Sequence, residues 1–453
     1  MTRQGGPRMA VGGRRHFLKV AGVLAWAATR STGNEHGGAS KPRAAFIGIG
    51  GRGADNFSAL QDRIRPVAFT DADEARAAKI RREWGDVPFY QDYRRMLEER
   101  GDEADIVVVS TPDHTHACVA LAAIRLGKHV YCEKPLAHSI AEVRALTRAA
   151  RARGVRTQMG NQGHSFDTIR MFCEWVWNGA IGTVREIHAW SQVVHSRVKQ
   201  LDRLAERHAP PATLDWNVWL GPAPFRPYHP LYLPGAWRAW RPFGCGTIGD
   251  WVCHVVDPVF WALDLVGPET VRAEVTDEFD PAKHADTFPA GCHVEFRFAA
   301  TPKRPSVTLH WYDGTRPPPR PDDLEPGREL PHIGAYVVGD KGTILYGSHG
   351  AESLRIIPEE KMKTFTQPPK TLPRVKDHYQ DWLDAIREGR PAGSDFAYGG
   401  PLTELALLGM IAQMFPGQKL AWDAAAGRIV NHSQADALTR PPTPREGWPL
   451  DLG

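Results

Sequence analysis

Ala44-Ala-Phe-Ile-Gly-Ile-Gly-Gly-Arg-Gly53 runs an apolar strand directly into a turn with the spacing Gly48-x-Gly50-x-x-Gly53, Gly51 and Arg52 lying inside it. The first glycine permits the tight turn, the second lets the backbone approach a pyrophosphate, and the third allows a helix to pack closely on the strand. The N-terminus of that helix presents free N–H groups to phosphate. Glycines alone are weak evidence, so the flanking sequence has to decide.

Downstream, Pro66-Val-Ala-Phe-Thr70 reads as a second strand and ends at Asp71. An acid there suits the adenosine ribose hydroxyls and favours NAD, while nearby Arg76 leaves NADP possible. Asp73 reads as the N-cap of a helix over 74–84. Asp105-Ile-Val-Val-Val-Ser110 is an unbroken β-branched run, as in a parallel strand buried on both faces. A helix over 115–126 and a strand over 128–132 continue the alternation. The pattern predicts an α/β fold with an N-terminal Rossmann doubly wound parallel sheet.

Chemistry-bearing residues follow the strands. Glu133-Lys134-Pro135 sits at the carboxyl end of a parallel strand, where such sheets bind ligands, and Pro135 restricts Lys134 to an extended backbone. Gly244-Cys-Gly-Thr-Ile-Gly-Asp250-Trp-Val-Cys-His254-Val-Val-Asp257 is a glycine-rich turn opening an apolar helix. Asp250, His254, Asp257 and Trp261 recur at helical spacing and are expected on one face, either as a satisfied polar cluster or facing a cleft.

Taken in order, Gly48-x-Gly50-x-x-Gly53, Thr111-Pro112-Asp-His114-x-His116, Glu133-Lys134-Pro135 and Asp250-x-x-x-His254 resemble the glucose–fructose oxidoreductase / inositol dehydrogenase (Gfo/Idh/MocA) family. Asp215-Trp-Asn-Val-Trp-Leu-Gly-Pro-Ala-Pro224 and the tail from His378 to Trp448 look like its exported bacterial branch. The resemblance implies Lys134 between nicotinamide and substrate hydroxyl, His254 as general base, and Asp250 holding or assisting it. It implies that Thr111, Pro112, His116, Glu133, Asn161 and Gln162 border the cofactor with Lys134, His114 being less clearly placed. It also implies a C-terminal α+β domain with an open, mostly antiparallel sheet whose far face joins copies of the chain into a homo-oligomer. Strand-like segments at 183–195, 270–278, 290–299, 305–312 and 335–346 and helix-like runs near 168–179 and 250–264 suit that architecture. The proline-rich stretch 316–331 reads as a surface loop. His195, Trp237, Arg238, Trp240, Arg241 and Tyr312 are candidates for a sugar site, since aromatic faces and planar donors suit carbohydrate hydroxyls.

At the N-terminus, Arg14-Arg-His-Phe-Leu-Lys19 precedes the apolar run Val20–Ala28, which is too short to span a bilayer. It looks like a twin-arginine signal, a receptor-read address that implies the twin-arginine export machinery as partner and a periplasmic or extracytoplasmic destination without stable membrane insertion. The expected organisation is a signal over 1–30, a linker over 31–42, a dinucleotide domain over 43–162 and a substrate domain with C-terminal extension over 163–453. The net charge of +4 owes five bases and no acid to residues 1–29, leaving the remainder near neutrality and giving no reason to expect nucleic acid as partner. Six dispersed cysteines show neither a disulfide framework nor metal-ligand spacing, so no metal is expected. Most of the fifteen Trp are expected in the core.

Function is thereby narrowed to NAD(P)-dependent oxidation of a secondary hydroxyl on a small-molecule carbohydrate: a sugar, polyol or glycoside. Because nicotinamide dinucleotides are scarce outside the cytoplasm, an exported protein needs a tightly held cofactor that it regenerates. Hydride exchange between two sugars would do so, as would transient oxidation that permits glycoside elimination. A non-catalytic NAD-binding sensor is the competitor from another class.

Overall fold

The computed structural model describes residues 41–452; the signal expected over 1–30 and nearly all of the expected linker lie outside the described residues. The chain proceeds β1 (Arg43–Ile47), α1 (Arg52–Leu60), β2 (Arg65–Thr70), α2 (Glu74–Glu83), β3 (Phe89–Tyr90), α3 (Tyr93–Arg100), β4 (Ile106–Val109), α4 (Asp113–Arg125), β5 (His129–Cys132), α5 (Ile140–Arg153) and β6 (Thr157–Met159). These strands form one parallel sheet in the order β3-β2-β1-β4-β5-β6. The order reverses between β1 and β4, and the crevice outside their carboxyl ends is where such sheets take ligands. All four residues of β4 are buried, as its β-branched run predicts. Asp73 caps α2 by accepting from Ala75 N–H.

Next come α6 (Asp167–Trp177), β7 (Val184–Ser191), α7 (Trp216–Leu220), α8 (Gly246–Val255), α9 (Asp257–Leu263), β8 (Thr270–Val275), β9 (Gly291–Phe298), β10 (Val307–Gly314), β11 (Ile333–Gly339), β12 (Thr343–Tyr346), β13 (Arg355–Ile357), α10 (Glu359–Thr364), α11 (His378–Glu388), α12 (Phe396–Ala412), β14 (Lys419–Asp423) and β15 (Arg428–Ile429). The second sheet runs β13-β12-β11-β7-β10-β9-β8-β14-β15, antiparallel except for the β7–β10 pair. The segment expected as one strand over 335–346 is a hairpin, β11 and β12, turned at Asp340-Lys341-Gly342.

The C-terminal third returns to the first domain. In α11, Trp382 and Ala385 enter the core built by Phe46, Phe57, Phe69 and Tyr131. Arg63 Nη1 donates to Asp377 at 2.7 Å, and Tyr379 Oη donates to Asn56 Oδ1 at 2.7 Å. Arg94 and Tyr93 receive Trp448. The stretch 377–394 is thus part of the Rossmann core although it lies within the span expected for the substrate domain.

Candidate active site

A cavity of about 650 Å³ opens at the carboxyl ends of β1 and β4. Its floor is the glycine turn. Gly48 has φ 81°, and a Cβ there would stand 2.7 Å from Ser110 O; at Gly53 it would stand 1.7 Å from Gly48 O. Close backbone approach, rather than turn flexibility alone, therefore demands both glycines. Gly51 starts α1 without a side-chain cap; Gly53 and Ala54 N–H turn back onto the carbonyls of Gly50 and Gly51, which leaves the Gly51 and Arg52 N–H groups at the cavity lining for an anion. Asp71 accepts from Gly50 N–H at 2.9 Å and Asp73 N–H at 3.0 Å, and Arg76 crosses over the Gly50–Gly51 peptide. Thr111 Oγ1 is buried with no partner beside the same floor. This set fits a dinucleotide: free N–H groups for phosphate, an acid at the ribose position and an unsatisfied hydroxyl.

Glu133 is a bracket rather than an open ligand group. Its carboxylate accepts from Asn56 Nδ2 (3.0 Å), Gln162 Nε2 (3.1 Å) and Arg52 Nε (3.3 Å), which places Arg52 and Gln162 on the wall. His116 puts its two ring nitrogens on the carbonyls of Thr111 (2.7 Å) and Pro135 (2.8 Å), tying the β4 turn to the loop that carries Lys134. His114 bridges the carbonyls of Phe243 and Trp219 and so joins the first domain to an aromatic cluster of the second. Asn161 does not reach the cavity. It is fully buried, donates to Asp257 Oδ2 at 2.9 Å and accepts from Ser394 Oγ at 2.6 Å.

Lys134 Nζ donates to Asp250 Oδ1 at 2.5 Å and to the Asp250 carbonyl at 2.9 Å. His195 Nε2 meets Asp250 Oδ2 at 3.0 Å, and Arg238 Nε donates to Oδ1 at 3.3 Å. Burial alone would raise the Asp250 carboxyl, but Lys134, His195 and Arg238 outweigh it and hold the group well below the ordinary carboxylate range. The expectation that Asp250 holds His254 is corrected: its oxygens are turned to Lys134, Arg238 and His195 instead. Among the described residues His254 has no hydrogen-bond partner. Its Nδ1 is sealed without a partner, and the Nε2 edge is left to the cavity. Burial first, then Lys134 and His349, push this imidazole well below its usual range, so it is neutral at neutral pH.

The expected common face of Asp250, His254, Asp257 and Trp261 is broken. Helix α8 ends at Val255 and α9 begins again at Asp257-Pro258. Asp257 turns away to His164 (3.0 Å) and Tyr398, and Trp261 stacks on His164. Among the sugar-site candidates, Trp237 and Arg238 line the cavity and His195 reaches it through Asp250. Trp240 is fully buried, Arg241 donates to Ala285 O, and Tyr312 lies on the second sheet. Sequence reasoning missed His349, from the loop after β12, whose ring centre is 4.3 Å from that of His254. No local motif marks it.

Residues 43–161 match the model described as "Oxidoreductase family, NAD-binding Rossmann fold", and residues 190–303 match its companion, "Oxidoreductase family, C-terminal alpha/beta domain". Together they span just over half of the sequence. The chain belongs to the Gfo/Idh/MocA family. In this Gfo/Idh/MocA protein the cavity floor is therefore the family's NAD-binding Rossmann domain. It is 36% identical to inositol 2-dehydrogenase 1 of Saccharopolyspora erythraea over 129 residues, 28% of this chain and 38% of that protein. It is 25% identical to levoglucosan dehydrogenase of Pseudarthrobacter phenanthrenivorans over 243 residues, 53% of each. The chain thus spans about half or less of the length of these curated relatives. The crystal structure of the WlbA dehydrogenase from Bordetella pertussis, in complex with NADH and UDP-GlcNAcA, shares the fold at 18% identity. Its TM-score is 0.56 over 84% of this chain and 99% of that one.

Proposed function

We propose that this protein reversibly oxidises a secondary hydroxyl of a sugar, polyol or glycoside, using NAD that stays bound between turnovers. The observation that carries the reading is a neutral His254, its Nδ1 unpartnered among the described residues, on the wall of the same cavity as Lys134, whose ammonium Asp250 holds, and the glycine turn. The names of the inositol and levoglucosan dehydrogenases support it.

Oxidising a carbinol removes a hydride from carbon and a proton from oxygen. When bound, NAD supplies the hydride acceptor. His254 Nε2 takes the hydroxyl proton, a task for which an imidazole kept neutral is suited. Lys134 Nζ orients the hydroxyl oxygen and stabilises the charge that grows on it as the proton leaves. Asp250 counterbalances Lys134 and Arg238, which otherwise would be two cations in one partly dry site. Arg238 and Trp237 offer the planar donor and apolar face that a sugar ring requires.

A second reading, oxidation followed by elimination of a glycosidic group and return of the hydride, is favoured by His349. That route needs a further base for the C–H proton beside the new ketone, and His349 places one against His254. Export by the twin-arginine route and assembly of copies through the outer face of the second sheet complete the reading. Cell fractionation and light scattering test these two points.

The deciding experiment is the absorbance spectrum and acid-released nucleotide of the purified protein, before and after a panel of sugars, with Lys134→Ala alongside. Stoichiometric NAD whose 340 nm band responds to a sugar, lost in Lys134→Ala while NAD stays bound, is the expected result. Unchanged turnover in Lys134→Ala overturns the site. Aglycone release without net NADH selects the second reading.

A further inference from the structure

Away from the cavity, the outer face of the second sheet carries an unusual row of rings. Parallel pairing of β7 with β10 sets His188 opposite His310, and antiparallel pairing sets His293 opposite Tyr312. Two residues before His188 on the same strand face stands Glu186. His188 Nε2 lies 3.0 Å from Glu186 Oε1, and His310 Nε2 lies 3.2 Å from the same oxygen. The ligand-capable atoms of these three residues all fall within 4.8 Å of one another.

The remaining ring nitrogens are also engaged. His188 Nδ1 meets Tyr312 Oη at 3.1 Å, and His310 Nδ1 meets His293 Nε2 at 3.0 Å. An imidazole that binds a metal through Nε2 characteristically donates its Nδ1–H to an outer partner, which fixes tautomer and ring orientation. Both rings have such a partner in place.

We propose that Glu186, His188 and His310 form a binding site for a divalent cation of the zinc class, with Tyr312 and His293 as outer partners and a water completing the coordination. Two imidazoles and one carboxylate are a borderline-soft donor set that suits zinc over magnesium or calcium. Bonds of about 2.0–2.2 Å in a tetrahedron put ligand atoms about 3.3–3.6 Å apart, close to the separations from Glu186 Oε1. The two rings are inclined by only 19°, so both must turn about Cβ–Cγ for their Nε2 atoms to converge on an ion.

A second group, Glu206, His208 and His229, brings similar atoms together but is chemically unsuited. His229 Nδ1 accepts from Leu231 N–H, which places the ring proton on Nε2, the atom that faces Glu206. That nitrogen has no lone pair to give, so this group serves as the control.

The test titrates the chelator-treated full chain with Zn2+ and, for its visible bands, Co2+. One equivalent bound with tetrahedral Co2+ bands is expected. Affinity should fall at least about tenfold in His310→Ala and in Glu186→Gln, and about tenfold in His293→Gln through the outer shell. His229→Ala should leave it unchanged. Glu186→Gln alters a half-exposed side chain and keeps the test valid should His310→Ala fail to fold. Absence of a stoichiometric ion, or binding undiminished in both Glu186→Gln and His310→Ala, overturns the proposal.

Discussion

His254 shows how much a single environment decides. Its chemistry is that of any imidazole, yet burial together with Lys134 and His349 keeps it neutral far into acid. A base that works neutral loses activity only as pH falls through its own pKa. The acid limb of the kcat/KM profile is therefore expected below pH 6.5, and His254→Gln should lower kcat by about 10²–10⁴ with NAD still bound. Pre-steady-state rates across pH check both points. Asp250→Asn removes the one nearby charge that raises His254, so the acid limb should move further down. The same change strands Lys134, Arg238 and His195 around a neutral amide and should cost about 3 kcal/mol in a urea titration. At this scale Lys134, Asp250 and His254 are readable because each sits in a short motif. His195, Arg238 and His349 are not, because each arrives from a separate loop whose local sequence carries no sign of its destination.

Elements translate these residues into a site. The glycine turn is a packing constraint as much as a binding one, since Gly53 lies against the Gly48 carbonyl and Gly48 against Ser110. Gly53→Ala should lower stability by about 2–3 kcal/mol, because backbone rather than a movable side chain stands in the way. It should also abolish NAD retention, read by released nucleotide and thermal melting. Strands β1, β2, β4 and β5 were legible because buried parallel strands are continuous apolar runs, whereas the two-residue β3 is too short to show one. The break between α8 and α9 was not. Proline is tolerated in the first turn of a helix, so Pro258 marks a new start as readily as it fits a continuing apolar pattern. That break sends Asp257 toward His164 and Asn161, while Asp250 goes to Lys134 and His254 to the cavity wall. The hairpin of β11 and β12 likewise reads as one strand until its three-residue turn is seen in place.

At the scale of the whole molecule, burial of polar rings sets a pH dependence. His114 and His188 are lowered to about 3, and His138 and His378 to about 4, in each case chiefly by burial. Neutral in the fold, these rings are protonated in the unfolded chain below about pH 6.5, so their stability contribution is full above that value and is lost as pH falls. Glu142, raised to about 7, and Asp313, raised to about 6, act in the opposite sense, taking up protons in the fold first. Burial lowers more rings than it raises carboxyls, so acidification costs stability on balance. Urea midpoints should therefore fall steadily from pH 7 to pH 5; a flat profile would contradict the assignment. The return of α11 to the Rossmann core adds a second whole-molecule property, since residues 377–394 and residues 43–162 share one core and should unfold together.

The alternation of strands and helices, the glycine turn and the choice of Lys134, Asp250 and His254 as candidates followed from the sequence alone, because each rests on spacing within one turn, strand or helix. Tertiary structure decided which partners they have. It gave Asp250 to Lys134, His195 and Arg238, left His254 unpartnered beside His349, withdrew Asn161 and Tyr312 from the cavity, and gathered Glu186, His188 and His310 on the far sheet. These contacts join residues distant in sequence, and their geometry depends on how whole elements pack, which no local pattern of residues encodes.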